Sequence, residues 1–483
     1  MSSLKDQTVK GVYWSSAENV ITVGITFVVG LVLARLLGPE EYGLIGIITI
    51  FISVFNSIVD SGFSNALIRK KEVDNLDYNT IYITNLVFSV ILFIVLFLIA
   101  PAISVFFNSP QLIPLTRVMG GVLIINAFSI IPRTVLVRQL DFKTQAKVSF
   151  IASIVSGVIG IGMALSGCGI WSLVGQQLSR QLLNSLLLWI WCHWRPQIEF
   201  SFIRFKELFN FGWKLLVSGL IDTIWKEIYQ VVIGKVYSPS TLGQYTRAQQ
   251  FASVFSSNLT FVVQRVSFPA LSQMQDDKLR LKLAYKRIIK VTMFVSFVLM
   301  LGMVGSAKQM VQVLVGDQWL PCVPYLQIIC FTMMLYPLHA INLNMLQVQG
   351  RSDLFLKLEI IKKIIAVGPI VLGVFINIYW MLIGSVVTGF ISYWLNAAYS
   401  GPFLNYSSKE QFLDILPSFG IAFVMMFAVL GMSYIPITPY VLFPFQILVG
   451  AILTIGLCIL FKRNEYQEIK EMVIPILTRF KLK

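Results

Sequence analysis

Charged residues are scarce in this chain of 483 residues. Asp, Glu, Lys and Arg make up 13% of the sequence, whereas soluble domains average about 25%. Hydrophobic residues make up 56%, and the mean hydropathy is +0.77. This composition excludes an ordinary soluble protein and predicts that the lipid bilayer is the solvent. A net charge of +15 would suit nucleic acid, but no extended soluble region is present to bind it, so we expect no nucleic-acid partner.

Catalytic and metal-binding motifs are also missing. The sequence has no G-x-x-x-x-G-K-[ST] phosphate loop, which excludes an ATPase engine, and no H-E-x-x-H signature. The five cysteines form no CxxC pair, and their apolar neighbours favour buried small hydrophobes. The two histidines, His193 and His339, stand alone, so we assign neither a catalytic role. We therefore predict a protein that is not an enzyme and needs no metal or cofactor, apart from candidate coupling to a proton or sodium gradient.

Long apolar runs are what the chain has in abundance. A helix that crosses the bilayer needs about 20 mostly apolar residues, and by that measure we count about 14 runs. The predicted spans lie near residues 13–37, 42–66, 79–101, 112–132, 146–166, 170–193, 208–236, 242–268, 287–306, 323–346, 356–377, 380–400, 412–434 and 440–461. The first residues, MSSLKDQTVKGVYW, lack a secretory signal pattern, so we expect the first helix to be retained. The fold class predicted is an all-α integral membrane protein.

The basic residues indicate an orientation. Most of the 38 Lys and Arg fall on alternate connections, such as Arg69–Lys71, 278–290 and 351–363. The opposite loops, such as FFNSPQ and YIPITPY, are nearly empty of positive charge. Because Lys and Arg accumulate on the cytoplasmic side, this pattern predicts cytoplasmic termini and an even number of spans.

An internal repeat organises these spans. VLARLLGPEEYG at 32–43 matches VIGKVYSPSTLG at 232–243, and GIWSLVG at 169–175 matches IYWMLIG at 378–384. The first match pairs Arg35 with Lys235, Pro39 with Pro239 and Gly43 with Gly243. The spacing covers six helices, so both copies have the same orientation in the membrane. We predict an N-lobe at 1–194 (helices 1–6), an amphipathic cytoplasmic linker at 195–207, a C-lobe at 208–400 (helices 7–12), and two extra helices with a basic tail at 401–483. A plain connecting loop is the alternative for the linker, which mixes aromatic and basic residues.

Ionisable residues inside the apolar runs are candidate site residues, because charge at membrane depth is costly. Lys214, Asp222 and Lys226 share one face of the seventh helix, and Asp222 and Lys226 can pair across one turn. In a polar, net cationic cavity between the lobes, the candidates for an anionic substrate are Lys214, Lys226, Arg247, Arg180, Arg117, Arg35 and Lys235. The candidates for ion coupling are Asp222, Glu18 and Asp60. Two alternatives stay open: Arg35 and Lys235 only snorkel to the interface, and the pair on the seventh helix is a neutral structural pair.

Three further stretches carry a family resemblance. GLVLARLLGPEEYGLIGI (30–47), DSGFSNALIRKKEV (60–73) and LGQYTRAQQF (242–251) resemble the Wzx-type polysaccharide and O-antigen flippases, in the branch similar to colanic-acid exporters. These belong to the multidrug/oligosaccharidyl-lipid/polysaccharide exporter superfamily. The likeness covers nearly the whole chain.

The resemblance implies a fold and a function. The fold is two six-helix bundles around a central, positively charged cavity, lined by the first two helices of each lobe. The function is alternating-access transport of undecaprenyl-diphosphate-linked oligosaccharide units across the bacterial inner membrane for O-antigen, capsule or exopolysaccharide assembly. The partners implied are the lipid-linked glycan and membrane lipids, with polysaccharide polymerase machinery as a further candidate.

Two other functions compete with this interpretation. One is a cation-coupled multidrug exporter of the same superfamily, which would favour an acidic cavity. The other is a membrane-embedded polysaccharide polymerase, which usually carries a large periplasmic loop, whereas every outer loop expected here is short.

Overall fold

A computed structural model of the chain describes residues 21–60, 62–463, 465–468 and 470–471. These residues form helices, turns and connecting segments and no β-strand, so the predicted all-α fold class is confirmed. Packing divides the chain into two compact units, unit 1 (Met1–Gly243) and unit 2 (Gln244–Lys483). The lobe boundaries predicted from the repeat stay a prediction.

Unit 1 is a bundle of helices that ends at the start of a ninth helix. Its helices are α1 (Ile21–Leu36), α2 (Pro39–Asp60), α3 (Phe63–Arg69), α4 (Asn75–Phe106), α5 (Leu112–Arg138), α6 (Phe142–Leu165), α7 (Trp171–Trp191) and α8 (Phe202–Val236), and α9 (Pro239–Ser272) begins in it. Helix α5 packs on α4 and α7, and α2 packs on α5 and α8. Phe63, Tyr82 and Ile131 lie in the largest apolar core of this unit. Burial of this surface away from solvent stabilises the bundle.

Unit 2 is arranged around one long helix. Its helices are α10 (Lys278–Leu314), α11 (Cys322–Met333), α12 (Tyr336–Val348), α13 (Ser352–Ile365), α14 (Val367–Phe375), α15 (Ile378–Ser400), α16 (Ser408–Met432) and α17 (Pro439–Leu460). Short 3-10 helices occupy Asp317–Trp319 and Gly401–Leu404. Helix α10 packs on α11, α16 and α17. Phe294, Ile421 and Cys458 form a small core where α10, α16 and α17 meet.

The turns repeat along the chain together with the helices. Helices α2 and α9 both begin at a proline, Pro39 and Pro239. Two residues after the ends of α5 and α12, Leu140 and Gly350 adopt φ angles of 57° and 68°, and the next helix begins two residues later in both cases. The internal repeat is therefore present in the backbone as well as in the sequence.

Nine helical segments of the described chain are long and apolar enough to cross a membrane. They coincide with nine of the predicted spans, whereas the count of about 14 is not confirmed. Four of the other five predicted spans are also helical, as are residues 21–36 of the span predicted at 13–37, but these segments are shorter or more polar. Helix α8 carries Lys214, Asp222, Lys226 and Glu227, and the span predicted at 356–377 is divided between α13 and α14 near Ala366.

The predicted linker is only partly separate from the seventh helix. Residues 192–201 are not helical, but α8 begins at Phe202 and continues unbroken to Val236. Ser201 caps this helix, because its side chain accepts a hydrogen bond from the backbone N–H of Arg204. Ile198 and Ile203 are strongly exposed, which is typical of an interfacial amphipathic segment. The interfacial position itself stays a prediction.

Candidate functional site

Helix α8 carries four predicted site residues with exposed side chains, Lys214, Asp222, Lys226 and Lys235. The Nζ of Lys226 lies 2.7 Å from Oδ2 of Asp222, so the ion pair expected across one turn is present. The two side chains are 70% and 52% exposed, and Lys214 is exposed as well. Exposed ion pairs contribute only about 0–1 kcal/mol to stability. This charged face is therefore poorly explained by folding and well suited to binding a charged solute.

The break between α2 and α3 lies against α8. Gly62 has a φ of 67°, and a Cβ atom there would lie 2.8 Å from the carbonyl oxygen of Gly212, so glycine is required for this approach. Asp60, at the end of α2, is exposed and accepts a 2.7 Å hydrogen bond from Oγ of Ser64. The structure thus brings the segment of Asp60 to the segment of Lys214, although no described ion pair joins these two residues.

The repeated glycines meet where α2 and α9 begin. A Cβ atom on Gly43 would collide with the carbonyl oxygen of Pro239, and one on Gly243 would collide with the carbonyl oxygen of Pro39. All four residues belong to unit 1. The two contacts are reciprocal, so the first turns of the two helices cross with local twofold pseudosymmetry. Small residues are what allow two helix backbones to approach this closely.

The two basic residues of the same repeat have different surroundings. Lys235 donates a 2.6 Å hydrogen bond from Nζ to the carbonyl oxygen of Phe106 and lies 4.5 Å from the centroid of that ring. Phe106 is the last residue of α4, where carbonyl groups lack partners within the helix and a cation is favourable. Arg35 lies on an exposed position of α1. Lys235 therefore caps a helix, and a direct role of either residue in binding stays a prediction.

Two other predicted cations lie within unit 1. Arg117, in α5, is partly buried, and its guanidinium carbon lies 4.3 Å from the ring centroid of Phe97. Arg180, in α7, is also partly buried. Neither joins the ion pair on α8 among the described contacts. The structure therefore does not gather all predicted cations of this unit into one cluster.

A chain of amide side chains next to Arg180 was missed by the sequence analysis. Gln181 donates from Nε2 to Oδ1 of Asn126 at 2.6 Å, and Asn126 donates from Nδ2 to Oδ1 of Asn56 at 2.9 Å. These residues connect α7, α5 and α2. The candidate site residues predicted from the sequence are all ionisable, but an Asn or Gln within an apolar run also needs a polar partner. Amides of this kind can donate to and accept from sugar hydroxyl groups.

Two predicted site residues remain, Arg247 and Glu18. Arg247, in unit 2, is only 2% exposed. Its Nη1 donates to Oε1 of Gln250 at 2.8 Å, and its guanidinium carbon lies 5.0 Å from the ring centroid of Trp319. A substrate could reach this buried group only after a rearrangement. Glu18 lies outside the described residues.

The part of the chain that the structure describes contains no candidate metal-binding site. There, no three or more His, Cys, Asp or Glu side chains lie together in a group that could hold a metal ion. The expectation that the protein works without a metal stays a prediction.

Comparison with known proteins extends this description. A family model described as "Polysaccharide biosynthesis protein" matches residues 32–324. The chain is 25% identical to the lipopolysaccharide biosynthesis protein WzxC of Escherichia coli (strain K12), over 77% of this chain and 76% of that protein. It is also 25% identical to the succinoglycan biosynthesis transport protein ExoT of Rhizobium meliloti (strain 1021), over 86% of each. The resemblance noted in the sequence is confirmed.

Solved structures agree on the fold. The lipid II flippase MurJ in an inward closed conformation aligns with a TM-score of 0.73 and 15% identity, covering 93% of this chain and 99% of that chain. An inward-facing multidrug resistance MATE family transporter of the MOP superfamily aligns with a TM-score of 0.60 and 17% identity, covering 80% and 96%. The fold is that of multi-pass membrane transporters, and the relatives are transporters rather than enzymes.

Proposed function

Because the chain belongs to the polysaccharide biosynthesis protein family, we propose that it is a flippase for lipid-linked oligosaccharides. It moves undecaprenyl-diphosphate-linked repeat units from the cytoplasmic to the periplasmic leaflet of the bacterial inner membrane, with both termini in the cytoplasm. The polymer built from them is O-antigen, capsule or exopolysaccharide. The names and near-full coverage of the relatives support this proposal, and so does a fold shared with a lipid II flippase.

The exposed charged face of α8 is the observation that carries the proposal. Lys214 and Lys226 present two ammonium groups on a helix of a strongly apolar chain. A Lys ammonium acts as a point charge toward phosphate, and the amide chain of α2, α5 and α7 offers hydrogen bonds to sugars. Together these groups match a ligand that is anionic at one end and rich in hydroxyl groups at the other.

Transport by purified protein in liposomes tests the proposal. Fluorescent undecaprenyl-diphosphate oligosaccharide is incorporated into vesicles, and flipping is followed by loss of label to a membrane-impermeant quencher. We expect Lys226→Gln to slow flipping about tenfold, because one charge-assisted contact of about 1.5 kcal/mol is lost. Lys206→Gln, which neutralises an exposed lysine near the start of α8, should leave the rate unchanged.

The same flipping assay, together with deletion of the gene, distinguishes the competing transport function. A multidrug exporter would show no flipping of the labelled lipid by the wild-type protein, and deletion of its gene would change susceptibility to cationic drugs. Normal surface polysaccharide after deletion, in a strain without a second flippase of this family, would contradict the proposal.

In the proposed transport cycle, the close approach of α2 and α9 at Gly43 and Gly243 closes one end of the route that the substrate follows. In the predicted orientation this crossing lies at the periplasmic side, so the first turns of α2 and α9 must separate when the lipid-linked sugar leaves. A side chain at Gly43 would push the two backbones apart. We expect Gly43→Val to reduce flipping at least tenfold and to make a cysteine placed on the exposed face of α8 more reactive from outside. Gly24→Val, where a Cβ atom has open space, is the matched control.

Ion coupling is assigned to acidic groups next to this path. Asp222 forms the ion pair with Lys226, and Asp60 lies at the break beside α8. A carboxylate that binds a proton or sodium would release its basic partner for the diphosphate. We expect Asp222→Asn to flatten the dependence of flipping on an imposed proton or sodium gradient. An unchanged gradient dependence would exclude Asp222 as the coupling residue and would leave the flippase assignment intact.

A further inference from the structure

A second cluster of charge lies in unit 2. The N-terminal part of α10 and the segment that follows α17 line a pocket of about 280 Å³. Five cationic and two acidic side chains line it together with Leu283; the cations are Lys286, Arg287, Lys290, Lys462 and Arg463, and the acids are Glu465 and Glu468. The lining is therefore strongly basic.

The acidic groups hold some of these cations in place. Arg287 lies 2.9 Å from Glu468, and Arg463 lies 3.0 Å from Glu465. Each pair joins the Nε or Nη of an arginine to one carboxylate oxygen. Such a bond leaves other N–H groups of the guanidinium fork for a further acceptor.

The lysines of the pocket are not balanced by the same carboxylates. Lys286 and Lys290 share Asp414 on α16, at 2.8 and 3.2 Å, and Lys286 also lies 3.3 Å from Glu410. Lys462 makes no ion pair with any residue in the described ranges. The pocket therefore has net positive charge, and an anion that enters it does not have to break every existing pair.

Exposed apolar side chains accompany this basic lining. Leu283 on α10 lines the pocket and is 61% exposed. Leu460 and Phe461, which directly precede Lys462 in the chain, are 71% and 62% exposed. A charged pocket accompanied by exposed apolar side chains suits an amphiphile better than a free anion, because acyl chains would cover these apolar side chains.

We infer that this pocket binds the phosphate headgroup of an anionic membrane lipid. Arginine forks and lysine ammonium groups are the side chains that recognise phosphate, and basic pockets between membrane helices on the cytoplasmic side bind such headgroups. The positive-inside pattern predicts that side for this end of α10 and α17. Two lipids supply the chemistry, a bulk anionic phospholipid and the lipid-linked diphosphate itself. For a bulk phospholipid the site is independent of the proposed function, whereas for the lipid-linked diphosphate it rests on that function.

Lipid binding to the purified, full-length protein tests the inference. The protein in detergent is titrated with phosphatidylglycerol or, separately, with undecaprenyl diphosphate, against phosphatidylcholine as the neutral reference. Bound lipid is counted by native mass spectrometry. We expect Lys290→Gln/Lys462→Gln to weaken binding of the anionic lipid about 25-fold, since each basic residue near an anionic membrane surface contributes about fivefold. The lipid whose binding falls identifies the natural source.

Matched variants keep the result interpretable. Lys278→Gln/Arg280→Gln removes the same charge from exposed positions of α10 outside the pocket and should retain wild-type binding. Lys290→Arg/Lys462→Arg keeps the charge and should restore binding, which a merely misfolded variant would not allow. Equal losses in both neutralised variants, or no loss in the pocket variant, would overturn the inference.

Discussion

Each unit joins two of its helices near their starts by ion pairs, and the two units differ in which helix carries the acid. In unit 1 the acid is on the long helix: Asp77 of α4 lies 2.9 Å from Lys70 and 3.7 Å from Arg204 of α8. In unit 2 the acid is on the later helix: Asp414 of α16 lies 2.8 Å from Lys286 of α10. We call such an ion-paired contact between two helices near their starts a joint. One joint is present in each unit, α4 with α8 and α10 with α16, and the charges are exchanged between them.

A contact between two helices near their starts is common to both joints, whereas the sign of charge on each helix is not. The paired residues are not in register either, because Asp77 is the third residue of α4 and Lys286 is the ninth residue of α10. Each joint is therefore explained by its own contacts and not by the internal repeat. The joints also differ in burial, because the side chain of Asp77 is 1% exposed and that of Asp414 is 15% exposed.

Replacing the aspartate of each joint by alanine should cause the largest loss of stability, and the loss should be greater in unit 1 than in unit 2. Asp77→Ala leaves Lys70 and Arg204 without this carboxylate, and breaking a buried pair costs about 3 kcal/mol. For Asp414→Ala we expect about 2 kcal/mol, because this carboxylate is more exposed than that of Asp77, while the hydroxyl of Tyr406 loses its acceptor at 2.7 Å. Burial raises the pKa of Tyr406, so this hydroxyl remains a donor.

Thermal unfolding in detergent provides the measurement, with Asn variants at both positions as controls for shape. A larger loss of stability at Asp414 than at Asp77 would mean that the burial of the aspartate does not determine how much each joint contributes to stability.

The coupling free energy within each ion pair should also be larger in unit 1 than in unit 2, and both values should be smaller than the effects of removing the acids. Double-mutant cycles for Asp77 with Lys70 and for Asp414 with Lys286 compare pairs of nearly equal length. We expect coupling of about 2 kcal/mol in unit 1 and about 1 kcal/mol in unit 2, because lower solvent screening strengthens the buried pair. The four single variants and two double variants are compared by their midpoints of unfolding. Equal coupling energies would remove burial as the explanation.

The turns after α5 and α12 should respond in opposite directions. Leu140 and Gly350 both have left-handed φ angles, which cost a residue with a side chain about 1 kcal/mol. We therefore expect Leu140→Gly to stabilise unit 1, and Gly350→Leu to destabilise unit 2, each by about 1 kcal/mol. Leu140 is 38% exposed, so little packing is lost. Destabilisation by Leu140→Gly would show that this leucine packs more than its exposure indicates.

The smallest difference concerns the caps of α4 and α10. Asp74 and Asp77 form a reciprocal capping box, whereas Asp277 only accepts from the backbone N–H of Arg280. We expect Asp74→Ala to cost about 1 kcal/mol and Asp277→Ala about 0.5 kcal/mol.

The contribution of Asp74 also depends on pH. The hydrogen bond from the backbone N–H of Asp77 lowers the pKa of Asp74 below 3.8, so its stabilisation is complete above that pH and is lost as the pH falls through the folded value. Melting curves between neutral pH and pH 3 should therefore converge for wild type and Asp74→Ala on the acid side. A constant separation would contradict this linkage.

Much of the fold and part of the site could be predicted from the sequence. Apolar runs predicted the helices, and the matched Gly43 and Gly243 predicted a repeated element. The pair Asp222–Lys226 followed from helical periodicity, since residues four apart lie on one face. The amide chain through Asn126 was missed because partners from three different helices cannot be paired by spacing along one helix.

Composition by itself determined that this is a helical membrane protein, because the bilayer requires long apolar helices whose backbone hydrogen bonds are satisfied internally. The matched stretches of sequence determined that it contains an internal repeat. Only the tertiary structure decided that Arg247 is buried against Trp319 while Lys226 is exposed, and that Gly43 and Gly243 face each other's helix. Burial and backbone approach depend on how distant segments pack, and local sequence does not encode those distances.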